Sequence, residues 1–392
     1  MIPTLQDLDI DGRRVLVRVD FNVPVHDGVV GDDTRIRATL PTLRELVDGG
    51  ATLFLMSHLG RPKGPQDDAR MGPVAERLTE LLGHEVRYLA CDGPASDEQR
   101  AFIADAPGGS VTMLENTRFD PRETKNDPEL ARVLAGYAAC YVNDAFGAAH
   151  RAHASTEGVA RHLPGAVGRL MEREIDVLGR LITDPERPFK VILGGAKVSD
   201  KIGVIENLLT TVDELFVGGA MAYTFFAARG GRVGDSLVER DRLEQASALM
   251  QQASDAGVSL HLPSDSVCAR EVAADAGAEV FPSDAIPDGF KGLDAGPSAV
   301  ARWREALQGA RTVFWNGPLG VFEVPPFDAA TRAMAKNVAH LDAFTVVGGG
   351  DSVAALAATG LSDRIDHVST GGGASLEFLE GTDLPGIAVL RR

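Results

Sequence analysis

The chain has 392 residues, 44% hydrophobic and 24% charged, the balance of a soluble globular protein with room for two domains rather than one large core. Its formal net charge of −17 argues against nucleic acid as a partner, because neutralisation of phosphates by Lys and Arg dominates such binding. No apolar run approaches the roughly 20 residues of a membrane span, and the first residues lack the apolar core of a signal peptide. The three cysteines, Cys91, Cys140 and Cys268, have no Cys-x-x-Cys spacing, which points to packed thiols in a reducing cytosol.

In chain order, strand-like runs at 15–19, 52–56, 86–89, 111–114 and 140–142 alternate with amphipathic stretches. The scheme repeats at 190–193, 214–217, 259–262, 312–315 and 344–347. Such alternation predicts βαβ units with parallel sheets. Between the halves, Met171, Ile175, Leu178 and Ile182 fall on one helical face, and Asp184-Pro185 stops the helix. Residues 170–184 therefore read as a linker helix between a domain at 1–169 and a second at 185–375. The stretch 376–392 ends in an apolar 387–390, which predicts docking rather than a loose tail. No exposed apolar face is evident from the pattern, which favours a monomer.

In open parallel sheets, ligands bind beyond the carboxyl ends of the strands. In the first half these ends are cationic and polar. The first run leads to Asp20, Asn22 and, after a turn, Arg35. The second leads to Ser57-His58-Leu59-Gly60-Arg61, and the fourth to Glu115-Asn116-Thr117-Arg118. The fifth leads on to His150-Arg151-Ala152-His153. A guanidinium offers a planar fork of donors to carboxylate or phosphate, so four at matching positions predict a small-anion site. His58 reads as a substrate contact and not a proton shuttle.

In the second half the ends are glycine-rich. Gly194-Gly195-Ala196-Lys197 is expected to open a helix through 202–209, with Lys197 and Lys201 four apart on one face. Backbone N–H groups at such a junction and the helix dipole favour a phosphate. Gly348-Gly349-Gly350-Asp351-Ser352 precedes another helix former. Asp351 either caps that helix or holds Mg²⁺. Beside a second run, Gly371-Gly372-Gly373, the metal reading is preferred. Neither a Walker A loop nor the dinucleotide Gly-x-Gly-x-x-Gly occurs, which disfavours a dehydrogenase. An anion site and a phosphate-chain site in one molecule suggest phosphoryl transfer.

Together these segments resemble the phosphoglycerate kinase family along the whole chain. The matching motifs are Val17-Arg18-Val19-Asp20-Phe21-Asn22-Val23-Pro24, Ser57-His58-Leu59-Gly60-Arg61-Pro62, Leu114-Glu115-Asn116, Lys125-Asn126-Asp127, the Lys197 loop, Trp315-Asn316-Gly317-Pro318, Gly349-Gly350-Asp351-Ser352 and Ser369-Thr370-Gly371-Gly372-Gly373. The resemblance implies an α/β fold of two Rossmann-like domains with parallel sheets, joined by a linker helix, with a cleft between them and the tail returning to the first domain. It implies reversible transfer of the acyl phosphate of 1,3-bisphosphoglycerate to ADP, giving 3-phosphoglycerate and ATP, with Mg²⁺, in the cytoplasm. Carried over by motif, Asp20, Phe21, Asn22, Arg35, His58, Leu59, Gly60, Arg61, Arg118 and Arg151 bind the glycerate. Lys197, Lys201, Gly292, Asn316, Glu323, Gly349, Gly350, Asp351 and Ser352 serve the nucleotide, with Asp351 on the metal. Arg35, Lys197, Gly350 and Gly373 are the implied catalytic set. Ala148, Ala220 and Ser298 depart from the residues expected at their motif positions, and none of these changes removes a charge the chemistry needs.

Overall fold

Val15, Leu16 and Val17 are wholly buried in strand β1 (Arg14–Arg18). A strand apolar on both faces belongs inside a parallel sheet covered by helices. β1 pairs in parallel with β2 (Thr52–Met56), setting Val17 beside Leu55, and on its other edge with a strand at Cys140–Asn143, setting Val17 beside Val142. In the computed structural model, which describes residues 1–391, the chain divides into two units. One is Met1–Asp176 together with the chain from Asp383, and the other is Val177–Thr382.

In the first unit, β1, β2, β3 (Val86–Tyr88), β4 (Val111–Met113), β5 (Cys140–Asn143) and β6 (Gly165–Val167) form one six-stranded sheet in the order β3-β4-β2-β1-β5-β6. Helices α1 (Thr34–Asp48) and α2 (Gly72–Leu82) cover one face with Ile36, Leu40, Leu43, Val74 and Leu78. Truncating one such residue, Leu43→Ala, would cost about 2–5 kcal/mol. Helix α3 (Asp97–Ala104) carries its own cap, Ser96 Oγ accepting from Gln99 N. Helix α4 (Pro128–Ala135) starts at Asp127, whose carboxylate accepts from the N–H groups of Glu129 and Leu130. The chain end docks on this unit. Leu384, Ile387 and Leu390 are buried, and Asn143 Nδ2 donates to the Gly386 carbonyl at 3.0 Å.

Helix α5 (Arg169–Thr183) runs through the division between the units. Its start is fixed by Asp144, whose Oδ1 accepts from Met171 N at 3.1 Å. Burial pushes the Asp144 carboxyl up to about 7.

In the second unit, β7 (Phe189–Leu193), β8 (Glu214–Val217), β9 (Ser259–His261), β13 (Thr312–Asn316), β14 (Phe344–Gly348) and β15 (His367–Val368) make a parallel sheet in the order β9-β8-β7-β13-β14-β15. Strand order reverses between β7 and β13, the switch point at which doubly wound sheets bind ligands. Helices α6 (Ile202–Leu208), α7 (Met221–Ala228), α8 (Leu243–Asp255), α9 (Pro297–Ala306), α10 (Ala329–Val338), α11 (Gly350–Ala357) and α12 (Gly373–Leu379) belong to this unit. A three-stranded antiparallel sheet, β10 (Asp265–Ala269) flanked by β11 (Glu279–Pro282) and β12 (Lys291–Ala295), adds to the parallel scheme expected from the sequence.

Candidate functional site

The cationic residues of the first unit gather at the carboxyl ends of its central strands. Asp20 and Asn22 follow β1, and His58 to Arg61 follow β2. Arg118 lies in a short 3-10 turn (Thr117–Phe119) after β4, and Arg151 follows β5. Arg35 sits not at a strand end but in the first turn of α1, because Ile36, Leu40 and Leu43 turn the other face to the core. Its Nη1 donates to Asp20 Oδ2 at 2.7 Å. A cavity of about 610 Å³ is lined by Arg61, Lys63, Arg118, Thr124, Arg151 and His153, among others.

Charge in this basin is unbalanced. Burial and the nearby Arg151, Arg18 and Arg61 lower the Arg118 pKa from its ordinary value. Burial brings the His58 ring down to about 3, and Arg18, Arg118 and Arg151 add to this against Asp20. His153 falls to about 4 for the same reasons. Asp20 is opposed by burial, yet His58, Arg35 and Arg18 hold its carboxyl below the usual range. His58 is therefore neutral near pH 7. Its Nδ1 lies 3.2 Å from Arg18 Nη2. A guanidinium can only donate, so Nδ1 accepts and the ring proton sits on Nε2. That makes His58 a hydrogen-bond donor and not an acid or base.

The sequence does not single out Arg18 as a member of the site, yet the structure places it there. It is 1% exposed, and its Nε donates to Ser155 Oγ at 2.8 Å. Ser155 in turn donates, from N at 3.0 Å and from Oγ at 2.5 Å, to the buried Glu123. The one signal available is an Arg inside an otherwise apolar strand.

Neighbouring contacts are backbone-directed. Phe21 N donates to Ser57 Oγ at 2.9 Å, Gly60 N to Asn22 Oδ1 at 2.9 Å, and Arg118 Nη1 to the Gly60 carbonyl at 2.6 Å. Leu59 is buried, and its N–H donates to Asn116 Oδ1.

At the switch point of the second unit, the ends of β7, β8 and β13 pack backbone on backbone. A Cβ at Gly194 would lie 2.1 Å from the Pro318 carbonyl, and one at Gly317 would lie 2.1 Å from the Gly194 carbonyl. These glycines are required by the close approach of the strands themselves. At Gly350 and Gly373 a Cβ would meet no protein atom within 4 Å. They open α11 and α12, after Gly349 and Gly372 at positive φ.

The expected helix from Lys197 through Lys201 does not form. Residues 194–201 are a loop, and α6 starts only at Ile202. Glu239 holds that loop by accepting from Ser199 N at 3.0 Å and Ser199 Oγ at 2.6 Å. The two lysines consequently diverge. Lys197 is exposed, whereas Lys201 is buried and donates from Nζ to Asn316 Oδ1. Burial lowers Lys201 to about 8, against Asp200, Glu380 and Asp351. Asn316 Nδ2 is buried and has no hydrogen-bond partner among the described residues.

Asp351 is exposed in the first turn of α11, whose N-cap position is Gly349. Its neighbour Ser352 is buried and accepts from Gly317 N at 2.5 Å. Glu323 is exposed in the loop after β13. Gly292 lies inside β12, its N–H donating to Ser236 Oγ at 2.9 Å and its α-carbon face covered by Tyr223.

Fold and site thus define an α/β phosphotransferase, and comparison with known proteins agrees. The phosphoglycerate kinase family model matches residues 5–382. A curated phosphoglycerate kinase of Thermus thermophilus is 58% identical over 388 residues, covering 99% of both chains. One of Moorella thermoacetica is 56% identical over 389 residues, covering 99% of this chain and 98% of that one. The solved structure of phosphoglycerate kinase from Coxiella burnetii superposes with a TM-score of 0.89 at 38% identity, over 100% of this chain and 99% of that one. The chain belongs to the phosphoglycerate kinase family. It catalyses the family's glycolytic reaction, reversible transfer of the acyl phosphate of 1,3-bisphosphoglycerate to ADP to give 3-phosphoglycerate and ATP.

Proposed function

We propose that the first unit holds the glycerate and the second the nucleotide, each through the residues already named. The observation that carries this division is the surplus of positive charge in the first basin, on a protein whose formal net charge is −17. Asp20, Phe21, Asn22, Arg35, His58, Leu59, Gly60, Arg61, Arg118 and Arg151 make the glycerate site. Phe21, Leu59 and Gly60 act through their backbones, and His58 through Nε2–H. The nucleotide is held by Lys197, Lys201, Gly292, Asn316, Glu323, Gly349, Gly350, Asp351 and Ser352.

In the ATP-forming direction a β-phosphate oxygen of ADP attacks the acyl phosphorus. A new P–O bond forms, the P–O bond to the acyl oxygen breaks, and the leaving group is the carboxylate of 3-phosphoglycerate. In reverse that carboxylate is already a nucleophile, so no general base is needed. Catalysis then consists of positioning and charge stabilisation. Arg35 and Lys197 stabilise the transferring group. Gly350 and Gly373, at which no protein neighbour demands glycine, let the backbone approach it closely.

A Mg²⁺ ion would be held by Asp351, an exposed carboxylate in the first turn of α11. Among the described residues no group of three or more His, Cys, Asp or Glu could hold a metal. A single carboxylate supplemented by substrate phosphates is the usual arrangement for this ion, and it would supply neutralisation of phosphate charge. Because the two sites belong to different units, transfer requires the units to close, which also excludes water. We read the enzyme as a cytoplasmic monomer. Three buried free thiols fit a reducing compartment, and sedimentation would test the monomer. Calorimetry tests the division of sites. Arg118→Ala should weaken 3-phosphoglycerate binding and spare ADP, and Lys197→Ala should do the reverse. Equal loss of both ligands in each variant would refute it.

A further inference from the structure

Arg61 and Arg118 repel each other, yet among the described residues neither makes an ion pair with a carboxylate. Uncharged acceptors join their segments instead, one of them the Gly60 carbonyl, which accepts from Arg118 Nη1 at 2.6 Å. Asn116, two residues before Arg118 in the chain, is wholly buried. Its Nδ2 donates to the Leu59 carbonyl and to the Ala69 carbonyl, both at 2.8 Å. Its Oδ1 accepts from Leu59 N at 3.3 Å and from Arg118 N at 3.0 Å. Two donors and two acceptor sites are the whole capacity of a primary amide. One side chain therefore ties both ends of the loop carrying Arg61 to the turn carrying Arg118.

Glu115 fixes the amide from below. Also wholly buried, it accepts from Asn116 N at 2.8 Å, Met71 N at 3.1 Å, Arg70 Nη1 at 3.1 Å and Tyr88 Oη at 2.6 Å. Its charge is answered by Arg70, outside the basin.

We infer that Asn116, seated on Glu115, is a positioning residue that sets the spacing of Arg61 and Arg118 for the glycerate's anionic groups. The inference rests on the assignment of that site to Arg61 and Arg118. A carboxylate in the same place could not donate to the Leu59 and Ala69 carbonyls and would set negative charge beside Arg118. A neutral amide bonds to backbone groups alone and adds no charge to the basin.

The test is 3-phosphoglycerate binding by calorimetry, with ADP binding and Tm measured alongside. Asn116→Ala should weaken the glycerate about tenfold or more and leave ADP within twofold. A core variant of the same unit, Leu134→Ala, supplies a comparable loss of Tm without touching the clamp, and should leave glycerate affinity unchanged. In an Arg118→Ala background the Asn116→Ala effect should shrink to less than about threefold, since residues acting through one another are not additive. An undiminished effect there, or equal glycerate loss in Leu134→Ala, would reduce Asn116 to a structural role and overturn the inference. If Asn116→Ala does not fold, Asn116→Ser, which lacks both amide donors, and Tyr88→Phe, which removes one support of Glu115, are read by the same criteria. Normal glycerate binding by Arg118→Ala alone would instead overturn the site assignment.

Discussion

On the proposed division of sites, the two units offer an anion different groups. The first gathers side-chain charge: Arg18, Arg35, Arg61, Arg118 and Arg151 around one basin, with His58 kept neutral among them. The second offers backbone at glycine-rich strand ends, with Lys201 turned inward onto Asn316. Guanidinium forks suit a small rigid anion whose groups must be read individually. Open backbone at helix starts suits a phosphate chain, wherever its charge falls. Both units carry parallel sheets, so the difference lies in the loops at the carboxyl ends of their strands.

Removing one charge from each unit is the most severe way to break this comparison. Arg35→Ala and Lys197→Ala should each lower kcat by about 10²–10³, the scale for losing one preorganised charge partner. Loss below tenfold in both, in steady-state assays, would contradict their roles. Arg118→Ala should act on binding instead, raising the 3-phosphoglycerate KM about tenfold or more and lowering kcat less. An unchanged KM would remove Arg118 from the substrate.

Titration sharpens the contrast. The Lys201 pKa is depressed to about 8, so its charge is present below that pH and is lost as pH rises through it. ADP affinity should fall severalfold between pH 7 and 9, and Lys201→Arg, which stays charged, should flatten that fall. A slope unchanged by the substitution would rule the lysine out. His58 predicts the smallest effect. Its folded pKa of about 3 lies below its ordinary value of 6.5, so it adds stability that is present above pH 6.5 and is lost as pH falls toward 3. Between pH 6 and 8 it does not titrate, and kcat/KM profiles of wild type and His58→Gln should have the same shape. A step near pH 6.5 present only in the wild type would show a charged His58.

Strand positions were legible because parallel strands are apolar on both faces. Thr52–Met56 and Glu214–Val217 begin and end where the pattern placed them. The cationic basin was legible because Arg and His stand out at strand ends. Arg18 was not, since a strand residue with apolar neighbours on either side reads as part of the run. The Lys197 loop was misread because helical spacing was projected back from 202–209, whereas Glu239, forty residues along, holds the segment out of the helix. Gly194 and Gly350 look alike in sequence, but the first is filled by neighbouring backbone and the second faces open space. Only the packing of strand ends distinguishes them. The antiparallel sheet of the second unit escaped notice because its short strands, such as Lys291–Ala295 around Gly292, carry little apolar signal.

The most direct test couples 3-phosphoglycerate and Mg-ATP to excess glyceraldehyde-3-phosphate dehydrogenase and follows NADH loss, for the wild type, Arg35→Ala and Lys197→Ala. The account predicts turnover by the wild type that collapses in both variants while each still binds the substrate of its intact unit. Full turnover by either variant would contradict a transferring group stabilised by one charge from each unit.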